Sequence, residues 1–376
     1  MKTDLKYAPF NLEYLPVSDK NFDFSALLKP LGAANRALSK YAGLLSVLEN
    51  PMLLLSPFSR AETVASNKIE GTRVDTIDVL RADAGDIFKN GNDFRDLQEI
   101  RNYRETMSYA VEEMERRPFS LDFLRNLHGM LLCSVRGNDK QPGKFREIQN
   151  YIGTESGGID SARFVPPDPL TVPALMDNWF VYFSGEEKDP IFQAAILHAQ
   201  FEMIHPFCDG NGRLGRMLLP LFFYQKKILP LPMFYLSRWF ERFESEYKDA
   251  LLAVSEKNDW TNWIKFFANA VCGQAEENLK IATCLQDFYR ETQRKISENT
   301  RSSLAFVVFD AIVARPIFRF STLGLENKIS RAMLARILTQ FERLNIIRIL
   351  ESAAGRRGAL YVCPQLVNIP EQKNIF

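Results

Sequence analysis

The residues best suited to chemistry lie in one stretch, residues 204–216, with the sequence IHPFCDGNGRLGR. Gly210 and Gly212 allow a tight turn whose backbone N–H groups point outward. A helix that begins near Asn211 would add the positive charge of its N-terminus. The spacing therefore predicts a helix, a short loop and a second helix that together can hold phosphate.

Four side chains of this stretch have the functional groups that phosphate chemistry needs. His205 can accept a proton at neutral pH, and Asp209 offers a hard oxygen ligand suited to Mg²⁺. Arg213 and Arg216 are three residues apart, on one helical face, where they could bind further phosphate groups.

Simpler interpretations explain single residues but not the set. A lone histidine at a helix end is more often structural. A calcium loop is excluded because Arg213 and Pro220 occupy its fifth and twelfth ligand positions, and a Walker loop is excluded because Gly-Lys-Ser/Thr is missing.

The segment HPFCDGNGRLGR resembles the signature of Fic (Fido) domain proteins, H-x-F-x-[D/E]-G-N-G-R-x-x-R, at every defined position. The flanking segments GKFR, VPP, FYLSRWFE and EYKDAL agree, so the resemblance covers roughly residues 100–275. It implies a mainly α fold, a Fic-type helical core with a β-hairpin flap at residues 145–167 that aligns the target backbone by strand addition.

The resemblance also implies a protein adenylyltransferase that moves AMP from ATP to a Ser, Thr or Tyr hydroxyl of a target protein or of the enzyme itself. The implied roles fall on the matched positions: His205 as the base, Asp209 as the Mg²⁺ ligand, Gly210, Asn211 and Gly212 as the anion hole, Arg213 and Arg216 on phosphate, and Phe207 in the core. Tyr247 aligns with a family position near the nucleoside.

A second segment, SNKIEG at residues 66–71, resembles the family's inhibitory motif [S/T]-x-x-x-E-[G/N]. Ser66 and Glu70 are four residues apart on one helix face, and Gly71 could end the helix. Alone, the segment reads as an ordinary helix end. The resemblance implies that Glu70 pairs with Arg216, occupies the γ-phosphate space and inhibits the enzyme.

Other functions stay open at this point. The motif defines the phosphate site better than the nucleoside site, so transfer of phosphate, phosphocholine or UMP is an alternative. Removal of AMP is another, and so is a DNA-binding regulator with a Fic core as sensor. Control of inhibition through a homodimer is known in the family.

Apolar residues at three-to-four spacing predict a mostly helical chain, and a Gly/Ser/Asp segment predicts one hairpin. Asp189 and Pro190 suit the first turn of a helix. The predicted helices are 121–132, 172–183, 191–204, 214–227, 247–255 and 260–278, and the predicted hairpin strands are 149–152 and 163–165.

The last eighty residues predict three helices and then two strands, the element order of a small winged-helix domain. The helices are 304–313, one starting at Ser321, and 330–344, and the strands are 346–350 and 359–362. Residues 294–376 hold 13 Lys and Arg against 6 Asp and Glu. Because Arg331 and Arg336 lie on the third helix and Arg356 and Arg357 between the strands, DNA is a possible partner. Protein docking or simple solvation is the alternative.

Length and composition limit the class of protein and the number of domains. The 376 residues, 46% hydrophobic and 25% charged, are typical of a globular protein, and the formal net charge of +1 excludes a uniformly basic nucleic-acid or membrane binder. Five scattered cysteines, no apolar leader and no long apolar run predict a cytoplasmic protein with no membrane contact. We expect an N-terminal helical region with the inhibitory motif at 1–100, a Fic core at 101–293 and the winged helix at 294–376.

Overall fold

The computed structural model describes residues 8–86, 91–153, 162–326, 329–353 and 358–376. The described chain is mostly helical. Its helices are α1 (Phe24–Val47), α2 (Pro51–Leu54), α3 (Ser56–Ile69), α4 (Thr76–Asp83), α5 (Gly91–Arg116), α6 (Leu121–Leu131), α7 (Val172–Ser184), α8 (Pro190–Ile204), α9 (Asn211–Gln225), α10 (Ser237–Arg242), α11 (Glu244–Lys257), α12 (Trp260–Asn299), α13 (Leu304–Ala314), α14 (Phe320–Glu326), α15 (Arg331–Arg343) and α16 (Pro364–Glu371). Its strands are β1 (Ile152–Gly153), β2 (Ala162–Phe164), β3 (Ile317–Arg319), β4 (Arg348–Glu351) and β5 (Leu360–Val362).

The predicted fold class, a mainly helical protein with small β elements, is confirmed. The chain forms two compact units. The first contains the described residues up to Ala42, Ala65–Thr72 and Gln98–Glu276, and the second contains the described parts of Gly43–Val64, Arg73–Leu97 and Glu277–Phe376. The division into domains at residues 100 and 293 stays a prediction.

Helix α8 is the central element of the first unit. Almost every side chain along it is buried, because α7, α9 and α11 all pack against it. Its start is the one predicted: the Asp189 side chain accepts hydrogen bonds from the N–H groups of Ile191 and Phe192, and Pro190 occupies the first turn. Two buried indoles fix its middle, since Trp179 and Trp263 donate to the carbonyls of Leu197 and Ala195. A rigid helix therefore leads directly into residue 205.

The hairpin is present but shorter than predicted. β1 and β2 pair antiparallel, with Ile152 opposite Phe164 and Gly153 opposite Ala162. The predicted turn between them lies outside the described residues.

The second unit holds a three-stranded antiparallel sheet in the order β3-β5-β4. Its core joins strands and helices, with Leu80, Ala84, Ile317, Leu360, Val362 and Val367 buried together. Three helices and then two strands are present in the predicted order, and β3 and α16 are additional. The winged-helix assignment stays a prediction. Arg356 and Arg357 lie outside the described residues.

Helix α12 is longer than predicted, because it continues from Asn278 to Asn299. The buried side chains of this segment recur every three or four residues, at Ile281, Leu285, Tyr289, Thr292 and Ile296. One narrow apolar stripe is therefore enough to keep the helix packed within the second unit.

None of the helices in the described ranges is both long enough and apolar enough to cross a membrane.

Candidate active site

The loop between α8 and α9 has the predicted form of a helix, a tight turn and a second helix. His205 ends α8 in the left-handed conformation, with φ 49°, and Gly210 precedes α9 with φ 75°. A left-handed histidine is strained, and such strain persists where the surroundings hold it in place. The first amides of α9, at residues 211–213, make no hydrogen bond within the described chain. They are therefore free to bind an anion at a helix N-terminus.

The side chain of Asn211 holds the loop together. Its Oδ1 accepts from the N–H of Phe207 at 2.9 Å, and its Nδ2 donates to the carbonyl of Phe207 at 2.8 Å. Asn211 and the Phe207 ring are both buried, which agrees with the predicted core position of Phe207. Of the anion hole predicted at Gly210, Asn211 and Gly212, the backbone N–H groups of Asn211 and Gly212 are available, whereas the Asn211 side chain is bonded to Phe207 and the N–H of Gly210 donates to Asp209.

His128, on α6, supports the same loop. Its Nε2 donates to the carbonyl of Asp209 at 2.8 Å, and its Nδ1 accepts from the N–H of Gly143 at 2.8 Å. Its ring stacks on Phe207 with centroids 3.7 Å apart. Burial lowers the pKa of His128 to about 4, so the ring is neutral and its tautomer is fixed by these two contacts. The sequence patterns did not single out His128 as a site residue, although a lone histidine in an apolar helix was a signal that could have found it.

His205 lines a cavity of about 280 Å³ in the first unit. Its Nδ1 lies 3.3 Å from the carbonyl of Glu202, which accepts the Nδ1 proton and leaves Nε2 with a lone pair. Burial lowers the pKa of His205 to about 4, and the nearby Arg146 guanidinium acts in the same direction. The imidazole is therefore unprotonated at neutral pH and able to accept a proton.

Asp209 has a half-buried carboxylate beside the start of α9. Its Oδ1 accepts from the N–H of Gly210 at 2.5 Å and lies 3.6 Å from Arg213. Burial raises the pKa of Asp209, although Arg213 opposes the shift. No group of three potential metal ligands exists within the described ranges. One carboxylate still fits Mg²⁺, because this ion is commonly held by one or two carboxylates together with substrate phosphates.

Arg213 is held by an acid that the sequence analysis missed. Arg213 donates to Glu99 at 3.2 Å, and Arg136 donates to the same carboxylate at 2.6 Å. Glu99 and Arg213 are both buried. The partners are 114 residues apart in the chain, so no local pattern could have revealed the pair.

Arg216 brings the second predicted motif to the site. Its Nε donates to the Ser66 hydroxyl at 3.0 Å, and its terminal nitrogen donates to the Ser66 carbonyl at 2.9 Å and to Glu70 Oε1 at 2.8 Å. Burial alone would lower the pKa of Arg216, but the Glu70 carboxylate raises it above its ordinary value. Burial likewise tends to raise the pKa of Glu70, and Arg216 holds it below the usual range. The pair is fully charged at neutral pH.

The Glu70 carboxylate lies over the first turn of α9. A Cβ atom built on Gly212 would stand 2.4 Å from Glu70 Oε1 and 2.8 Å from the second terminal nitrogen of Arg216. Helix α3 ends just before Glu70, and Gly71 reverses the chain with φ 90°. Glu70 therefore occupies space beside the free amides of α9, where an anion would bind.

Tyr247, on α11, lines the same cavity. Its hydroxyl lies 2.8 Å from His198 Nε2, and its ring stacks on Phe240 with centroids 4.4 Å apart. Burial raises its pKa, so the phenol is neutral. The structure thus brings together His205, Gly212, Arg216, Glu70 and Tyr247 around one cavity, with Asp209 and Arg213 beside it.

Comparisons with known proteins agree with this geometry. The sequence model of the Fic/DOC family matches residues 118–223, and the model of the Fic/DOC family N-terminal region matches residues 28–112. A probable protein adenylyltransferase of Aquifex aeolicus is 29% identical over 168 residues, 44% of this chain and 48% of that protein. A protein adenylyltransferase of Caenorhabditis briggsae is 32% identical over 128 residues, 33% of this chain and 23% of that protein. The chain thus spans about half the length of the first relative and about a quarter of the second.

Solved structures show the same fold at low identity. A Fic family protein from Desulfovibrio desulfuricans superposes with a TM-score of 0.57 at 19% identity, covering 94% of this chain and 98% of that one. A Fic domain containing signaling protein from Bacteroides thetaiotaomicron superposes with a TM-score of 0.54 at 22% identity, covering 68% and 97%. The two family models together match just over half of the chain, and on this ground the chain belongs to the Fic/DOC family.

Proposed function

We propose that the protein is an adenylyltransferase that moves AMP from ATP to a hydroxyl group of a protein. The observation that carries the proposal is the placement of His205 at the edge of the cavity, next to the free N-terminal amides of α9. Relatives named protein adenylyltransferase support the same reaction. Other transferred groups remain alternatives because the phosphate-binding residues do not select the nucleoside.

The proposed reaction is a displacement at the α-phosphorus of ATP. His205 Nε2 takes the proton of the acceptor hydroxyl, and the oxygen of that hydroxyl bonds to the α-phosphorus. The α–β phosphoanhydride bond breaks and diphosphate is released. The amides at residues 211–213 and the Arg213 and Arg216 guanidiniums neutralise phosphate charge, which is the main task in such a transfer. Asp209 would hold Mg²⁺, which supplies further neutralisation of phosphate charge when bound.

Glu70 would inhibit this reaction by occupying the anion site. Its carboxylate is 2.8 Å from Arg216 and packs on Gly212, so a phosphate at the same place would have to displace it. Two negative groups cannot share one buried cation without a large electrostatic cost. The wild-type protein is therefore expected to be a weak enzyme.

The first prediction tests both parts of the proposal. Glu70→Gly should raise the rate of AMP incorporation from labelled ATP at least tenfold, because it frees Arg216 and the amides of α9. Adding His205→Ala to that variant should lower incorporation to background, because the proton acceptor is lost. The measurement is radiolabel or AMP mass on the protein itself and on candidate target proteins, with and without Mg²⁺.

A matched control for that experiment is Glu246→Gln, an exposed acid beside Tyr247 on α11. It should leave the wild-type rate unchanged. Equal incorporation by wild type and Glu70→Gly would contradict the inhibitory role. Equal incorporation by Glu70→Gly with and without His205→Ala would contradict the catalytic role. Loss of AMP from a modified target would instead favour the reverse reaction.

A second candidate function, DNA binding, concerns the second unit alone. Arg331 and Arg336 are exposed on α15, and Arg343 and Arg348 continue the exposed basic side chains. Phosphate contacts by such residues give an affinity that falls steeply with salt. We expect duplex DNA to be retarded on a gel at low salt and released as salt rises, with Arg331→Ala and Arg336→Ala each weakening it. No retardation, or retardation independent of salt, would exclude this candidate.

A further inference from the structure

The cavity contains a second carboxyl group, that of Glu202, to which the proposed reaction gives no role. Glu202 lies one turn before His205 on α8. Its Oε1 is buried and has no hydrogen-bond partner in the described chain. A Cβ atom built on Gly215 would stand 2.4 Å from that oxygen, so the carboxyl packs directly against α9 next to Arg216.

An ionised carboxylate with a buried, unbonded oxygen is costly, because it loses its hydration and gains no donor in exchange. The charged or titratable groups that act on Glu202 come from three elements: Arg216 on α9, Glu70 after α3 and Tyr247 on α11. Arg216 favours the ionised form, while Glu70 opposes it. Burial dominates and raises the pKa of Glu202 to about 7.

The state of Glu202 therefore depends on what neutralises Arg216. When a carboxylate or a phosphate is bound to Arg216, a second negative charge in the cavity is unfavourable. When Arg216 has lost that partner, the only other carboxyl group that its charge stabilises in the cavity, among the residues described, is Glu202, since Tyr247 is a phenol whose pKa burial raises. The buried cation then favours ionisation of Glu202.

We propose that Glu202 is a positioning residue that keeps the charge around Arg216 balanced by gaining a proton whenever an anion binds there and releasing it when the anion leaves. The inference rests on the proposed function, since the anion in question is the polyphosphate of ATP. The proton comes from solvent and adds to the Glu202 carboxylate, and no other bond changes. In the wild-type protein without ATP, the Glu70 carboxylate is the anion bound to Arg216.

The consequence is a proton uptake on nucleotide binding. In Glu70→Gly the resident anion is missing, so Glu202 is ionised in the free protein and must be protonated when ATP binds. We expect Glu70→Gly to take up most of one proton per ATP at about pH 6.5 and less as the pH rises past 7, because Glu202 has a pKa of about 7 when an anion is beside Arg216. Its affinity for ATP should fall up to tenfold per pH unit between the pKa of free Glu202 and that of the ATP-bound form.

The experiment is isothermal titration calorimetry of ATP into Glu70→Gly in buffers of different ionisation enthalpy, across pH 6 to 8.5. Glu202→Gln in the same background keeps the shape of the neutral acid. It should bind ATP at least as tightly, take up no proton at Glu202 and lose the pH dependence. Glu246→Gln in that background is the matched control and should keep the uptake.

The possible outcomes separate this inference from the proposed function. ATP binding with equal proton uptake in Glu70→Gly and its Glu202→Gln derivative overturns the role of Glu202 and leaves the proposed function intact. No ATP binding by either variant, with tryptophan fluorescence showing both folded, overturns the proposed function and this inference with it. ATP binding with an uptake that Glu202→Gln abolishes supports both.

Discussion

At the scale of single residues, the site is built from groups whose hydrogen bonds are nearly all committed before any ligand arrives. Asn211 closes a ring of two hydrogen bonds with the backbone of Phe207, and His128 uses both ring nitrogens on Asp209 and Gly143. These contacts fix the loop, so the amides of α9 need not be reorganised when an anion binds. Such preorganisation is the usual source of electrostatic stabilisation in an enzyme.

The same residues show how far the sequence alone could go. The spacing within residues 204–216 was sufficient to predict the turn between two helices, and the side chains it singled out lie at or beside one cavity. It could not reveal Glu99 or His128, because their partners are 114 and 81 residues away in the chain. Glu202 was close by, yet its buried state depends on α9 packing against α8, which only the folded chain shows.

At the scale of elements, α3 places Glu70 by ending at the right residue. Ser66, one turn earlier, accepts two hydrogen bonds from Arg216 through its hydroxyl and its carbonyl. These bonds fix the last turn of α3 just before Glu70. Gly71 then adopts φ 90°, and the N–H of Thr72 donates to the carbonyl of Asn67 to close the helix end. The strength of inhibition should therefore depend on how firmly this helix end is held.

Gly71→Ala tests that dependence without touching any charged group. No atom lies within 4 Å of the Cβ it would add, so its cost is only the strain of a positive φ, about 1 kcal/mol. If that strain weakens the contact between Glu70 and Arg216, basal AMP incorporation should rise by up to fivefold, well below the effect of Glu70→Gly. The measurement is the same labelled-ATP assay.

Gly43→Ala, inside α1, is the matched control for that variant. Its added Cβ also meets nothing within 4 Å, but its φ is not positive, so it should stabilise the helix slightly and leave the rate unchanged. A rate for Gly71→Ala equal to wild type, with unaltered unfolding, would show that Glu70 is held by Arg216 and Ser66 alone.

The elements also show why some sequence predictions stopped early. For the helices that it predicted, from residue 121 onward, the apolar spacing indicated most starts and ends within a few residues, but it gave no bounds for α1, α2, α4 or α5. It missed β3, because three residues after a proline carry too short a pattern to distinguish a strand from a loop. It also predicted that α12 ends too early, at residue 278, because a helix with a single buried stripe has mostly polar residues.

At the scale of the whole molecule, the histidines and tryptophans are confined to the first unit. The chain has three histidines and four tryptophans, and all seven lie in the part of that unit between Gln98 and Glu276. Burial lowers the pKa of His128 and His205 to about 4 and that of His198 to about 3. Acid should therefore destabilise the first unit selectively, and tryptophan fluorescence reports that unit alone.

The direction in which pH changes the stability follows from the number of protons that the folded and unfolded states bind. Between pH 6.5 and 4.5 the unfolded chain protonates its three histidines, while the folded unit keeps them neutral, so the unfolded state binds more protons and stability falls on acidification. For His128 alone the full shift corresponds to about 3 kcal/mol. Glu202 acts in the opposite direction, because its folded pKa of about 7 means that the folded unit already holds a proton there.

Near pH 5.5 the unfolded first unit binds about two more protons than the folded one. The free energy of unfolding of this unit should therefore fall by about 3 kcal/mol per pH unit between pH 6.5 and 4.5. Urea unfolding followed by tryptophan fluorescence at several pH values measures this slope. Glu202→Gln removes the opposing group and should steepen the fall by about 1 kcal/mol per pH unit. A urea concentration at the unfolding midpoint that stays constant from pH 7 to 5 would mean that the histidines are accessible to protons in the folded unit. In that case the neutral tautomer of His128, which links α6 to the loop at Asp209, could not be what fixes the site.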